Sequence, residues 1–238
     1  MSGDAVTRRR GRGVPIPALR VVVADDSCAF RDGLGFLLRT GGAEVVSSVD
    51  DLPVLLEVVP QLSPDLVVVD ADLAGAGSGV GAALALKGRL PGLGVIVVAT
   101  HPQAQHVERL LDGASGGTGY LLKDTDADVL GLLDALRRVA GGGLALSPEV
   151  VSPLVAASSR AGPLSALSHR DREVLSLVAQ GRSDTGIADA LMLSHKTADS
   201  HVSGLLSDLG VEHDGTDNGR ARATLTLLRQ ASAGVAPV

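Results

Sequence analysis

Aromatic side chains are almost absent from this chain: Phe30, Phe36 and Tyr120 are the full set, and there is no Trp. Its cores must therefore be built from Val, Leu, Ile and Ala, and no stacking platform for single-stranded nucleic acid is available. Cysteine is reduced to Cys28, which excludes an intrachain disulfide and a cysteine-rich zinc site and fits a reducing cytosol. No apolar run reaches the roughly 18 residues of a membrane span, and the basic N-terminus has no apolar stretch behind it as a signal peptide would. The sequence accordingly reads as cytoplasmic, with no membrane partner. Positive charge is scarce outside one place. Residues 1–20 hold Arg8, Arg9, Arg10, Arg12 and Arg20 against Asp4, a net of +4 that leaves −10 for the remainder. Such an arm reads as a solvated, disordered tail, with contact to DNA phosphates as the alternative.

The 45% apolar and 20% charged content over 238 residues is that of folded domains rather than a disordered chain. Between Leu19 and about Gly141, short Val-rich runs alternate with helix-length segments: LRVVVAD (19–25), AEVVSS (43–48), DLVVVDA (65–71), LGVIVVAT (93–100) and TGYLLKD (118–124). Continuous apolar runs separated by helices predict buried parallel strands, hence an α/β fold with a five-stranded doubly wound sheet over residues 19–141. Apolar residues at 129, 132, 133, 136 and 139 predict its last helix, stopped by Gly141 to Gly143. Residues 142–164, rich in Pro, Ser and Ala, read as a linker with at most one short helix. A small all-α unit follows over 165–230, and 231–238 reads as a disordered tail.

In an open parallel sheet, ligands bind beyond the carboxyl ends of the strands. Asp25 and Asp26 end the first strand, Asp70 the third and Lys123 the fifth. Converging carboxylates repel one another unless a hard cation sits among them, and oxygen ligands suit Mg²⁺. A lysine in the same crevice offers positive charge to an arriving phosphoryl group. These four residues point to phosphoryl transfer, with Asp70 as the nucleophile.

The all-α unit carries its own signals. Ser168 and Asp171 are placed to cap a helix that ends at Gly181, a short helix spans roughly Asp184 to Leu191, and Ser194 caps a third. In that third helix Ala198, Val202, Leu205, Leu206 and Leu209 form one buried stripe, a helix-turn-helix arrangement closed by RARATLTLLRQA. Lys196, Asp199, Ser200, Ser203 and Ser207 are left facing outward. Leu225, Leu227 and Leu228 of the closing helix serve either a homodimer interface or the domain's own core.

VVVADDSCAFRDGL, PDLVVVDADL and GYLLKD resemble the receiver domain of bacterial response regulators. The segment from Leu167 to Gly210 resembles the LuxR-type helix-turn-helix of the NarL/LuxR group. This resemblance implies a flavodoxin-like receiver followed by a DNA-binding domain: a transcriptional regulator of a two-component system rather than an enzyme. Asp25 and Asp26 would hold Mg²⁺ together with Asp70 and the main-chain carbonyl of Asp72, and Asp70 would take phosphate from the phosphohistidine of a sensor histidine kinase. Lys123 would bind the phosphoryl oxygens, and Tyr120 matches an aromatic switch position. Double-stranded DNA would meet Lys196, Thr197, Asp199, Ser200, His201 and Ser203, with His201 serving either packing or a phosphate contact and the protein acting as a homodimer.

One departure stands out. Receivers usually end the fourth strand in Thr or Ser, where the hydroxyl meets the phosphoryl group, but that switch position here is Ala99, with Thr100 one residue on. A one-residue step turns a strand side chain to the opposite face. The departure keeps open a receiver-type regulator controlled by a ligand or protein partner without phosphorylation. The Gly-rich GAGSGVG also invites a nucleotide-binding turn, yet its spacing is not G-x-G-x-x-G and it has no P-loop lysine. The six His residues show no zinc-ligand spacing with acids.

Overall fold

A computed structural model describes residues 18–75, 77–113, 116–123, 129–158, 163–212 and 215–233. Nearly all of the basic arm and the last five residues of the expected tail lie outside them. The described chain opens with five βα units: β1 (Arg20–Ala24), α1 (Cys28–Thr40), β2 (Glu44–Val49), α2 (Leu52–Leu62), β3 (Leu66–Asp70), α3 (Gly79–Arg89), β4 (Gly94–Ala99), α4 (Ala104–Gly113), β5 (Thr118–Leu122) and α5 (Val129–Ala140). The strands are all parallel, in the order β2-β1-β3-β4-β5, with a sixth strand beyond β5.

The sixth strand corrects the expected count of five. Leu144–Leu146 forms β6, paired with β5 in the register Thr118↔Leu144 to Tyr120↔Leu146. The glycines that stop α5 also begin this pairing, because Gly142 and Gly143 carbonyls accept from Gly117 N and Thr118 N at 2.7 and 3.1 Å. A three-residue strand has no period to read. The segment expected to be a linker then continues as α6 (Pro148–Ser158), and a 3₁₀ turn at Pro163–Ala166 leads into the helical unit.

Strand alternation divides the core into two layers. Val21, Val23, Leu66, Val68, Ile96 and Val98 face α1 and α5, whereas Val22, Val67, Val69, Val95 and Val97 face the α2–α4 side. Val-rich strands buried on both faces are what a parallel sheet covered by helices requires.

Four helices complete the chain: α7 (His169–Ala179), α8 (Asp184–Leu191), α9 (His195–Asp208) and α10 (Asp217–Ala233). Ser168, Ser183 and Ser194 each accept a hydrogen bond from the third residue of their helices, and Ser168 with Asp171 forms a reciprocal capping box. Buried Arg220 ties α10 to α8 through Asp184 at 2.7 Å and to its own first turn through Asp217 at 2.7 Å. Leu225 and Leu228 of α10 are buried in the core, and Leu227 packs partly against it. That assigns Leu225 and Leu228 to the core alternative, because α10 lies against α6 and α7.

The helical unit sits directly on the sheet. Leu146 N donates to Gln180 O at 3.2 Å, and Arg138 of α5 donates to the carbonyls of Leu144 and Gln180 at 2.6 and 3.1 Å. Gly181, at φ +81°, passes so close to β6 that a Cβ there would lie 2.1 Å from the Leu144 carbonyl oxygen. On the other flank, Arg222 donates to Leu111 O at 2.8 Å and Arg229 pairs with Asp112 at 3.0 Å.

Candidate functional site

The carboxyl edge of the sheet brings the predicted acids together. Asp25 follows β1 and is fully buried, Asp26 beside it is exposed, and Asp70 ends β3 almost completely buried. Carboxylate oxygens of all three lie within 4.8 Å of one another. Lys123, one residue past β5, places Nζ 2.7 Å from Asp25 Oδ2 and 3.1 Å from Asp70 Oδ1. Its main-chain N donates to Ala99 O at 2.9 Å, which fixes where the side chain starts.

Burial pushes the Asp70 carboxyl above its ordinary range, and the neighbouring Asp25 charge adds to this against the opposing pull of Lys123. For Lys123, burial opposes the charge, but contact with Asp25 and Asp70 outweighs it and holds the ammonium above its usual value. The edge therefore gathers three acids against one ammonium.

Further residues shape this edge. Ser27 N donates to Asp25 Oδ1 at 3.0 Å, Arg31 donates to the Asp25 carbonyl, and Asp72 N donates to the Asp70 carboxylate. Phe30 lies under Lys123, with Nζ 4.8 Å from the ring centroid, a cation–π contact. Sequence reasoning missed Phe30 and Arg31, although both stand on the first turn after the acid pair. Gly79 is also essential here. A Cβ on it would fall 1.8 Å from the Asp70 carbonyl oxygen, so the Gly-rich segment lets α3 start against the end of β3.

Asp25 Oδ2 is buried against the Lys123 ammonium at 2.7 Å. Three carboxylates against one ammonium and an all-oxygen donor set fit a hard divalent cation. Asp72 is exposed just beyond Asp70.

Ala99 is fully buried as the last residue of β4, and Thr100 lies exposed outside the strand. Tyr120 is also fully buried. Its hydroxyl donates to His101 O and accepts from Gln103 N, both at 3.3 Å, and burial raises its pKa. It thereby tethers the segment that follows Ala99.

The second set of predicted residues lies on α9. Ala198, Val202, Leu205 and Leu206 are buried as the stripe predicts, while Lys196, Thr197, Asp199, Ser200 and Ser203 are exposed. His201 sits at the border of the stripe. Its Nε2 lies 3.0 Å from Asp171 Oδ1, so it is turned toward α7 rather than outward with the other five. Hydrogen bonds from Ser168 and then His201 hold the Asp171 carboxyl below its ordinary range.

A family model described as the response regulator receiver domain matches residues 21–133, and one described as bacterial regulatory proteins of the luxR family matches residues 165–215. The transcriptional regulatory protein DegU of Brevibacillus brevis is 32% identical over 213 residues, covering 81% of this chain and 88% of that one. This chain belongs to the LuxR-type response regulators. The nitrate/nitrite response regulator protein NarP of Escherichia coli is similar at 31% identity, covering 90% of this chain and 96% of its own. Among solved structures, one of two RcsB dimers bound to two parallel DNAs matches with a TM-score of 0.50 and 27% identity, covering 89% of this chain and 98% of that one. As a response regulator, this chain has its two matched regions in the order its motifs predicted. No helix among its described residues is long and apolar enough to cross a membrane.

Proposed function

We propose that this response regulator is a cytoplasmic transcription factor whose Asp70 accepts a phosphoryl group from the phosphohistidine of a sensor kinase. The observation that carries this reading is the position of Lys123, within 3.1 Å of Asp70 and 2.7 Å of Asp25 at the same strand edge. An Asp70 carboxylate oxygen attacks phosphorus, the P–N bond to the imidazole breaks, and an acyl phosphate forms on Asp70. Asp25, Asp26, Asp70 and the Asp72 carbonyl would hold Mg²⁺, which supplies charge neutralisation at the phosphoryl oxygens. Lys123 then exchanges its contact with the Asp70 carboxylate for one with a phosphoryl oxygen.

Output falls to the exposed face of α9, with Lys196, Thr197, Asp199, Ser200 and Ser203 entering a major groove of double-stranded DNA. His201 orients the helix through Asp171. The related RcsB dimers bound to DNA support action as a homodimer on two half-sites. The receiver spans residues 19–141, with β6 extending its sheet, and the DNA-binding domain spans 165–230, α6 lying between them.

The test is incubation of the full chain with Mg²⁺ and acetyl phosphate or a panel of phosphorylated kinases, read by intact mass. One acid-labile phosphoryl group on the wild type, and none on Asp70→Asn, is the expected result. Absence of uptake from every donor would leave Asp70 without the proposed role.

A further inference from the structure

One cavity is lined by Lys123 but by none of the acids of the cluster. It measures about 860 Å³ and runs between α1 and α5 across the sheet to the first turn of α6 and the end of α7. Its floor is Val68, Ile96 and Val98, and its walls include Leu34 of α1 and Leu136 of α5. At the rim Gly33 adds no bulk, and a Cβ there would meet nothing within 4 Å. A chain nearly devoid of aromatic side chains has few groups large enough to fill such a gap.

The far end of the cavity is polar and lies where the two domains meet. Arg138, Glu149, Gln180 and Arg182 line it. Among the described residues, three of the four charged lining side chains are cations, in a protein of net charge −6. Lys123 is neutralised by Asp25 and Asp70, and Arg138 by Asp134 at 2.8 Å. Arg182 makes no ion pair among the described residues; its Nε donates only a long 3.4 Å hydrogen bond to Gln180 Oε1. An apolar chamber of drug-like volume, with Arg182 outside any ion pair at one end and a single acid, Glu149, in the same lining, offers an amphipathic organic anion one anchoring point.

We propose that this cavity binds a small molecule with an apolar body and a single carboxylate, the body between α1 and α5 and the carboxylate at Arg182. Such a ligand would touch the receiver and the DNA-binding domain at once. Its differential affinity for the docked and undocked arrangements would shift the balance between them. The inference does not require Asp70 to accept phosphate, so failure of that reading leaves it standing.

The full chain, titrated with 8-anilinonaphthalene-1-sulfonate as an amphipathic anion, should show saturable one-to-one fluorescence enhancement that decanoate displaces. Arg182→Glu reverses charge at a half-buried position and should weaken the probe at least tenfold. Gly33→Phe projects a ring over the open rim and should reduce binding by a similar factor. Circular dichroism and melting of each variant establish folding, and decanoate should raise the melting temperature of the wild type but not of Arg182→Glu. Non-saturable uptake, or affinity unchanged in both folded variants, would overturn the proposal. So would a decanoate-induced shift of equal size in the wild type and Arg182→Glu.

Discussion

The carboxyl edge of the sheet and the exposed face of α9 carry the two halves of the function by opposite means. At the sheet edge the chemistry is concentrated: two buried carboxylates and an ammonium lie within 3.1 Å contacts, preorganised by the ends of three strands. The α9 face is diffuse, with exposed Ser, Thr, Asp and one Lys, in a domain whose residues 165–230 hold seven cations and nine anions. Removing one group from the first should therefore disable it. Changing one group on the second should only retune it.

The sharpest way to break this comparison is Lys123→Met. Loss of the ammonium leaves Asp25 and Asp70 facing each other and removes the cation from the phosphoryl oxygens. Removal of one such stabilising group costs roughly 10²–10³-fold in rate. Phosphorylation of full-length protein by acetyl phosphate, followed by intact mass over time, should slow by that factor; a rate within threefold of wild type would show that Lys123 is dispensable.

Gly181→Ala comes next, and its effect is structural. The added Cβ meets the Leu144 carbonyl at 2.1 Å, and the backbone holds a φ of +81° that L side chains rarely adopt. Strain and overpacking together should cost about 3 kcal/mol, measured by urea unfolding, and should loosen the helical unit from β6 by hydrogen exchange at Leu146. Stability unchanged within about 0.5 kcal/mol, the range of neutral surface substitutions, would mean that the two domains are not held this closely.

A smaller effect belongs to Ala99→Thr. With no hydroxyl at that buried strand end, phosphorylation gains fewer contacts that differ between the two states, and a ligand moves an equilibrium only through such differences. One added hydrogen bond to a charged group is worth roughly 1.5–3 kcal/mol. The ratio of dimerisation constants with and without beryllofluoride should rise about tenfold in the variant. Equal ratios in both proteins would place the weak coupling elsewhere.

How much of this was legible in the sequence follows from the same contrast. The acids and Lys123 declared themselves because strand ends have a fixed relation to a parallel sheet, so spacing alone put them on one edge. The α8 span from Asp184 to Leu191 and the Ser168 capping box were equally readable, since caps are local. Leu144–Leu146 was not, because its pairing with β5 is a long-range event expressed in three residues. For His201 the sequence left packing and a phosphate contact both open, and the turn toward Asp171 chose packing. This residue borders the apolar stripe, and only the position of α7 decides which side it joins. Leu225 and Leu228 could have served a dimer surface or a core, and the packing of α10 on α6 and α7 decided between them. The cavity between α1 and α5 was beyond reach for a related reason: a void is set by what neighbouring elements fail to fill.

On the α9 face, Asp199→Lys sharpens the comparison from the other side. Each phosphate neutralised adds a slope of about −0.9 in log affinity against log salt, and the isolated domain should start from roughly two to four contacts. The variant should gain several-fold in affinity at low salt and steepen the slope by about one contact. Binding by the isolated wild-type domain with a slope already near that of ten contacts would contradict the electrostatic deficit.

The least effect is expected at the pair that sets the angle of α9, Asp171 and His201. The Asp171 carboxylate accepts from Ser168 Oγ and N at 2.6 and 3.1 Å and lies 3.0 Å from His201 Nε2, and these hydrogen bonds depress its pKa in the folded protein. A depressed carboxyl stabilises the fold above its unfolded pKa of about 3.9 and loses that contribution as pH falls through the lower folded value. Asp171→Ala should therefore cost about 1 kcal/mol near neutral pH, the ordinary worth of a cap, with partial exposure keeping the charge component small. Denaturant titrations should show a constant difference between variant and wild type above about pH 5, shrinking below about pH 4 as the wild-type carboxyl protonates. A difference that persisted undiminished at pH 2 would show that Asp171 acts by shape rather than charge. If α9 depends on this pair for its orientation, DNA affinity should fall by more than the stability loss accounts for. Affinity equal to wild type at full folding would make His201 a bystander to recognition.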